Sequence, residues 1–142
     1  FEKLFPGGKG SLTLTNPENL LESGIEISVQ PRGKKVKKLS LLSGGERSLA
    51  AIAFLFSVFK SFPSPFYILD EVEAALDDAN LHRMLNLLEF VKKDAQFLIV
   101  THQQQTMQAG DVLYGVTMQP GSGSRVFTKT KKDFETLITK GE

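Results

Sequence analysis

Four short clusters hold the side chains able to do chemistry. The first is Leu42-Ser43-Gly44-Gly45-Glu46, set just ahead of a long apolar stretch. Glycines at the start of a helix let backbone N–H groups approach an anion, and the helix dipole favours negative charge there. The Ser43 hydroxyl adds one more donor. A Gly-Gly turn with a serine cap is the plainer reading of the same residues. The second cluster is Phe66-Tyr67-Ile68-Leu69-Asp70-Glu71. Four apolar residues followed by two acids place two carboxylates at the C-terminal end of a strand, the edge at which open α/β sheets bind ligands. Asp70 suits Mg²⁺, directly or through water, and Glu71 suits a base that polarises an attacking water. Two acids ending a strand in solvent is the alternative. The third cluster is Ala75-Leu76-Asp77, and the fourth is Thr101-His102 at the end of a further apolar run. His82, inside a helical stretch, reads as a surface residue. A phosphate-cradling G-x-x-x-x-G-K-[ST] loop is missing. In Gly7-Gly8-Lys9-Gly10-Ser11 the lysine is followed by glycine, and the first glycine of the pattern would fall on Lys3, so the stretch reads as a turn.

The elements that must carry these clusters are legible from periodicity. Ser11 to Thr15 and Ile25 to Val29 alternate polar and apolar residues, which predicts two antiparallel strands. Pro31-Arg32-Gly33 ends the second, and Lys34 to Lys38 follows as a basic loop. Ser48 to Phe59 is long and apolar enough for a buried helix, closed by Pro63 and Pro65. Phe66 to Leu69 predicts a strand buried on both faces. Leu81, Met84, Leu85, Leu88 and Val91 recur at helical spacing behind an Asp77-Asp78 start. Phe97 to Val100 is a second buried strand. Strand, helix and strand make one parallel βαβ unit, which brings His102 to the same edge as Asp70 and Glu71. Val112 to Met118 is a further strand, Pro120 to Ser124 a turn, and Arg125 to Thr130 a strand that pairs back. Asp133 to Glu142 is a short helix or a frayed tail.

The bulk numbers fit one α/β domain of 142 residues with a core of its own. Hydrophobic residues are 41 % of the chain, and no apolar run approaches the ~18 residues of a membrane span. Cysteine is absent, which excludes disulfides, thiolate metal sites and a cysteine nucleophile. No signal peptide is expected from the opening residues, and an opening Phe1 in place of Met is expected of a piece of something longer. Net charge is +1, but it is unevenly spread: residues 1–40 carry seven basic and four acidic side chains, residues 41–95 five and eight, residues 96–142 five and four. The acid is concentrated around the candidate chemistry.

In this order and spacing, the four clusters resemble the heads of ABC-type ATPases. Leu42 to Glu46 matches the signature motif, Phe66 to Glu71 the Walker B strand, Ala75-Leu76-Asp77 the D-loop, and Thr101-His102 the switch histidine. Three longer runs, Leu39 to Glu46, Leu69 to Asn80 and Tyr114 to Gln119, resemble bacterial SMC chromosome-segregation proteins. The resemblance extends from about Phe1 to Gln119. Gln103-Gln104-Gln105 and the tail from Pro120 depart from the usual pattern. The resemblance implies an ABC-type ATPase half-domain: a parallel-sheet core with flanking helices and antiparallel strands at the edge. It would be the C-terminal lobe of an SMC head, completed by an N-terminal lobe that carries the Walker A loop.

The implied cofactors are ATP and Mg²⁺. Asp70 would help hold the metal, Glu71 would deprotonate the attacking water, and His102 would contact the γ-phosphate. Ser43, Gly44, Gly45 and Glu46 would bind ATP held on the opposite head, and Asp77 would line the seam between heads. The implied partners are the N-terminal lobe, a second head and a kleisin subunit with a winged-helix domain. The implied setting is the cytoplasmic nucleoid, where Arg32, Lys34, Lys35, Lys37 and Lys38 could touch DNA phosphates without reading sequence. A transporter ATPase would want its Walker A on the same chain and a membrane partner, and a pure scaffold for kleisin and DNA has no need of Glu71. A DNA-repair ATPase is a nearer rival, against which Tyr114 to Gln119 favours SMC.

Overall fold

The computed structural model describes residues 1–33, 37–118, 121 and 123–133. The chain divides after Val100 into two compact units. The first opens with a turn in which the Phe1 carbonyl accepts from the Leu4 and Phe5 amides, and the Phe1 and Phe5 rings stack at 4.4 Å. Leu4 is wholly buried, and the Lys3 ammonium lies 3.8 Å above the ring of Phe90. Strands β1 (Lys9–Leu14) and β2 (Ile25–Gln30) then pair antiparallel, Lys9 opposite Gln30 and Leu14 opposite Ile25. Polar side chains close the mouth of the loop between them: Thr15 Oγ1 accepts from the Gly24 amide at 2.8 Å and Ser23 Oγ from the Asn16 amide at 3.0 Å.

The stretch read as a basic loop is in part a strand. Lys37 and Lys38 form β3 (Lys37–Lys38), antiparallel to β2 with Lys38 opposite Ser28; Lys34 and Lys35 lie outside the described residues. Alternation was too short here to signal a strand, and the partner that holds it, β2, is supplied by the fold.

The chemistry-bearing core follows. Helix α1 (Gly44–Ser61), strand β4 (Phe66–Asp70), helix α2 (Asp78–Val91) and strand β5 (Gln96–Val100) occur in the expected order. β4 and β5 are parallel neighbours, Phe66 opposite Gln96 and Asp70 opposite Val100. The helical spacing read for α2 is the buried stripe: Leu81, Met84, Leu85 and Leu88 are inside, as are Leu49, Ala50, Ile52, Ala53 and Phe56 of α1. Aromatic rings fasten α1 to the sheet. Phe59 stacks on Tyr67 at 4.0 Å and Tyr67 on Phe97 at 5.2 Å. The Tyr67 hydroxyl accepts from the Ser64 amide at 2.8 Å and donates to the Phe59 carbonyl at 3.1 Å, locking the turn after α1.

One expectation fails in an informative way. The apolar run Phe66 to Leu69 was read as covered on both faces, yet only one face is. Leu69 is 3 % exposed, whereas Phe66 is 58 %, Ile68 61 %, Leu98 53 % and Val100 51 % exposed. These four are the apolar residues of the outward face of β4 and β5, and neither helix covers them. Parallel sheets are otherwise buried on both sides.

The second unit contains a short helix α3 (Gln104–Ala109), which the sequence did not announce, and an antiparallel hairpin of β6 (Val112–Met118) and β7 (Ser124–Thr130). Both hairpin strands match the sequence reading. Gly115 faces Phe127 across the ladder, and the ring lies where a side chain at 115 would stand: a Cβ there would be 1.9 Å from Phe127 Cζ. Residues 134–142 of the expected tail lie outside the described residues.

Candidate functional site

The signature cluster sits at the start of α1. Ser43 is the N-cap in extended backbone, and its Oγ accepts from the Glu46 amide at 3.4 Å. The Glu46 carboxylate returns the contact, accepting from the Ser43 amide at 3.3 Å and the Ser43 hydroxyl at 3.1 Å. This capping box starts the helix, so the plain serine-cap reading is correct as far as it goes. Gly44 and Gly45 are the first two helical residues, whose N–H groups have no partner within the helix. Neither has a positive φ. Nothing lies within 4 Å of the place a Gly44 Cβ would occupy, whereas a Cβ on Gly45 would stand 3.2 Å from Asn80 Nδ2 and 3.8 Å from Asp77 Oδ2.

The start of α1 therefore meets the start of α2. Asp77 is the N-cap of α2, its Oδ1 accepting from the Asn80 amide at 2.8 Å. Two helix N-termini, each a positive dipole end, converge around Gly45. In the sequence Asn80 is only part of a longer run, and its place beside Gly45 depends on a contact between helices that no local pattern encodes.

Asp70 and Glu71 stand at the C-terminal end of β4, both exposed. The Glu71 amide donates to the Val100 carbonyl at 3.0 Å, one step beyond the β4–β5 ladder. Its backbone has φ of +44°, the single positive value at a non-glycine residue among those described. That left-handed conformation turns the chain off the sheet, and its carbonyl accepts from the Ala74 amide at 3.1 Å. Such backbone costs energy for a residue with a Cβ and concentrates at functional positions. Glu73, two residues on, is 2 % exposed, a buried carboxylate between two exposed acidic positions.

Among the described residues no three acidic or histidine side chains cluster as a metal cage. Asp70 alone still fits Mg²⁺, which commonly takes one or two carboxylates and completes its shell with water and substrate phosphates. A groove of about 260 Å³ in the first unit, lined by Phe1, Leu12, Ile27, Ala53 and Phe54 among others, includes none of the motif residues.

His102 follows β5 by two residues, is exposed, and belongs to the second unit; beside it Thr101 Oγ1 accepts from the Gln103 amide at 3.0 Å. His82 is exposed on α2, as read. Of the basic residues assigned to DNA, Lys38 is ion-paired with Glu26 across the β2–β3 ladder. The hydrogen bond and charge of Glu26 raise its pKa above the usual lysine value. The Arg32 stem lies against Gly7, its Cδ 3.0 Å from the place of a Cβ there.

Residues 13–124 match the family described as RecF/RecN/SMC N terminal domain. The chain belongs to the RecF/RecN/SMC family. It is 52 % identical over 141 residues to a chromosome partition protein Smc of Mycobacterium leprae, covering 98 % of this chain and 12 % of that protein. The chain thus spans about an eighth of such relatives. Among solved structures, one from work on ATP-driven dimerization and DNA-stimulated activation of SMC ATPases superposes with a TM-score of 0.83 at 38 % identity, covering 98 % of this chain and 84 % of the other. An Smc head bound to the C-terminal winged-helix domain of ScpA superposes at 0.82 with 41 % identity, covering 94 % and 41 %. The mixed α/β architecture, with one parallel and two antiparallel sheets among the described residues, is that of SMC ATPase heads.

Proposed function

We propose that this chain is the C-terminal lobe of an SMC head, and that it binds the γ-phosphate of an ATP held by a second head and supplies the base that hydrolyses its own. The observation that carries the reading is the meeting of Gly45 with Asp77 and Asn80, which joins the signature turn and the D-loop into one surface. Two further features support it. Gly44 has open space where a side chain would go, so packing inside this chain gives no reason for a glycine, whereas close approach by a ligand does. The bare face of Phe66, Ile68, Leu98 and Val100 suits the N-terminal lobe that would carry the missing Walker A loop.

In this reading the Ser43 hydroxyl turns from the Glu46 carboxylate and, with the first amides of α1, donates to the γ-phosphate across the seam. Asp70 would hold Mg²⁺ through water. When bound, the metal would draw negative charge from the phosphates. Glu71, its backbone fixed by the hydrogen bond its amide donates to the Val100 carbonyl, accepts a proton from the water whose oxygen attacks the γ-phosphorus as the bond to the β-phosphate oxygen breaks. His102 contacts the γ-phosphate, and Asp77 links the two sites. ATP then joins two heads and its hydrolysis parts them, within a chromosome-organising protein of the nucleoid. The known ScpA complex of a relative supports a kleisin winged-helix domain as a further partner. DNA contact falls to Arg32, Lys34, Lys35 and Lys37, because Lys38 is held by Glu26.

The test is the chain combined with its N-terminal lobe. Glu71→Gln is expected to slow single-turnover ATP hydrolysis by about 10²–10⁴, the usual loss for a general base, while ATP-bound dimers accumulate. Asp70→Asn is expected instead to weaken Mg-ATP binding. Hydrolysis by Glu71→Gln within a few-fold of the parent rules Glu71 out as the base.

A further inference from the structure

Asn80 stands at the third position of α2, half-buried, where its side chain is set by two neighbours. Its own amide N–H is taken by Asp77 Oδ1 at 2.8 Å, and its side-chain Oδ1 accepts from Arg83 Nη1 at 3.3 Å. Arg83 can only donate, so it fixes which end of the amide is oxygen and directs the NH₂ the other way. That NH₂ lies over Gly45, 3.2 Å from where a Cβ would stand. Among the described residues it has no acceptor. The NH₂ therefore lies beside Gly45, in the first turn of α1. A phosphate oxygen seated on that turn is an acceptor of the right kind for it.

We propose that Asn80 is a further phosphate-binding residue of the signature site, its NH₂ donating to the γ-phosphate that the turn Ser43–Gly45 receives from the opposite head. The inference rests on the ATP-engagement reading above and adds a residue from α2 to a site otherwise built on α1. It also gives Gly45 a second reason to be glycine, since a side chain there would push the Asn80 amide aside.

A structural role and a phosphate-binding role diverge when the amide becomes a carboxylate. Asn80→Asp keeps the size, keeps an acceptor for Arg83, and puts a negative charge near a helix N-terminus, where it stabilises. Toward phosphate it replaces two donors by a repelling charge. The experiment measures ATP-dependent dimerisation of complete heads carrying Glu71→Gln, with thermal melting of each variant beside it. Asn80→Asp is expected to melt no lower than Asn80→Ala yet to need at least about tenfold more ATP for half-maximal dimer than the parent. Asn80→Ala should need about three- to tenfold more, as for loss of one charge-assisted hydrogen bond. Asn80→Ser, which keeps a donor, should fall between Asn80→Ala and the parent. Asn80→Asp dimerising as well as Asn80→Ala or better overturns the proposal. Ser43→Arg, which fills the phosphate seat, serves as the control. If it abolishes the dimer while Asn80→Asp behaves as the parent, Asn80 alone is misassigned; if the dimer survives Ser43→Arg, the signature site itself is misassigned and this inference falls with it.

Discussion

Glycine at position 71 is expected to give a more stable fold than alanine there, although either destroys the proposed chemistry. The residue holds φ of +44°, and for a side chain with a Cβ this left-handed backbone costs roughly 1–2 kcal/mol. Glycine removes that cost. It also loosens the unfolded chain, which returns about 0.4–1 kcal/mol to the unfolded side. The backbone bonds that define the corner, Glu71 amide to Val100 and Ala74 amide to the Glu71 carbonyl, survive any side chain. Against Glu71→Ala, which loses the same side-chain contacts, the difference at the middle of these ranges is a gain of about 0.8 kcal/mol, which in a unit of this size raises the melting temperature by about 3–6 °C. Glu71→Val should melt below Glu71→Ala because branching at Cβ worsens the left-handed conformation. Differential scanning calorimetry of the three variants checks the order Gly above Ala above Val. If Glu71→Gly melts at or below Glu71→Ala, the corner is not strained and the cost assigned to it is wrong.

Other substitutions probe the packing that positions the site. Tyr67→Phe leaves the Ser64 amide without its acceptor and the Phe59 carbonyl without its donor; a loss of about 1–2 kcal/mol is expected in urea unfolding, with the aromatic stack intact by near-ultraviolet spectroscopy. Gly115→Ala puts a Cβ into the Phe127 ring and should speed amide exchange of Tyr114 and Val116 by at least about fivefold, an estimate for about 1 kcal/mol of lost pairing. Asp133 accepts from the Thr130 amide at 2.7 Å and its hydroxyl at 2.8 Å, and these bonds, the amide first, hold its carboxyl below the ordinary value of 3.8. Its contribution is therefore present above pH 3.8 and is lost as pH falls through the lower folded value; the Thr130 amide resonance should titrate below 3.8 and lose that titration in Asp133→Asn.

Much of the architecture was legible because it repeats locally. The stripe of Leu81, Met84, Leu85 and Leu88 announces α2, the Asp77 cap announces its start, and the hairpin of Val112 to Met118 with Arg125 to Thr130 follows from alternation. Helix α3 stayed hidden because Gln104 to Ala109 is short and polar, with one buried residue, Thr106. β3 stayed hidden because two lysines hold no pattern and take strand form only through pairing with β2. At the site, residue types were readable and geometry was not. Nothing local marks Glu71 as the left-handed corner, since that φ is imposed by where Val100 and Ala74 lie. The approach of Asn80 to Gly45 is likewise a product of α1 and α2 packing together. The apolar run in β4 predicts cover on both faces, and the structure covers one: apolar residues mark a strand but not which of its faces the rest of the chain reaches.

The contact of Lys3 with Phe90 has a mechanical side. Phe90 is in the last turn of α2, and Asp77 caps the other end; fourteen residues at 1.5 Å each make a rod of about 21 Å between them. A tug on the opening turn is thereby handed to a stiff lever whose far tip rests against Gly45. Part of that link is the exposed cation–ring contact of Lys3 with Phe90, of order 0.5–1 kcal/mol.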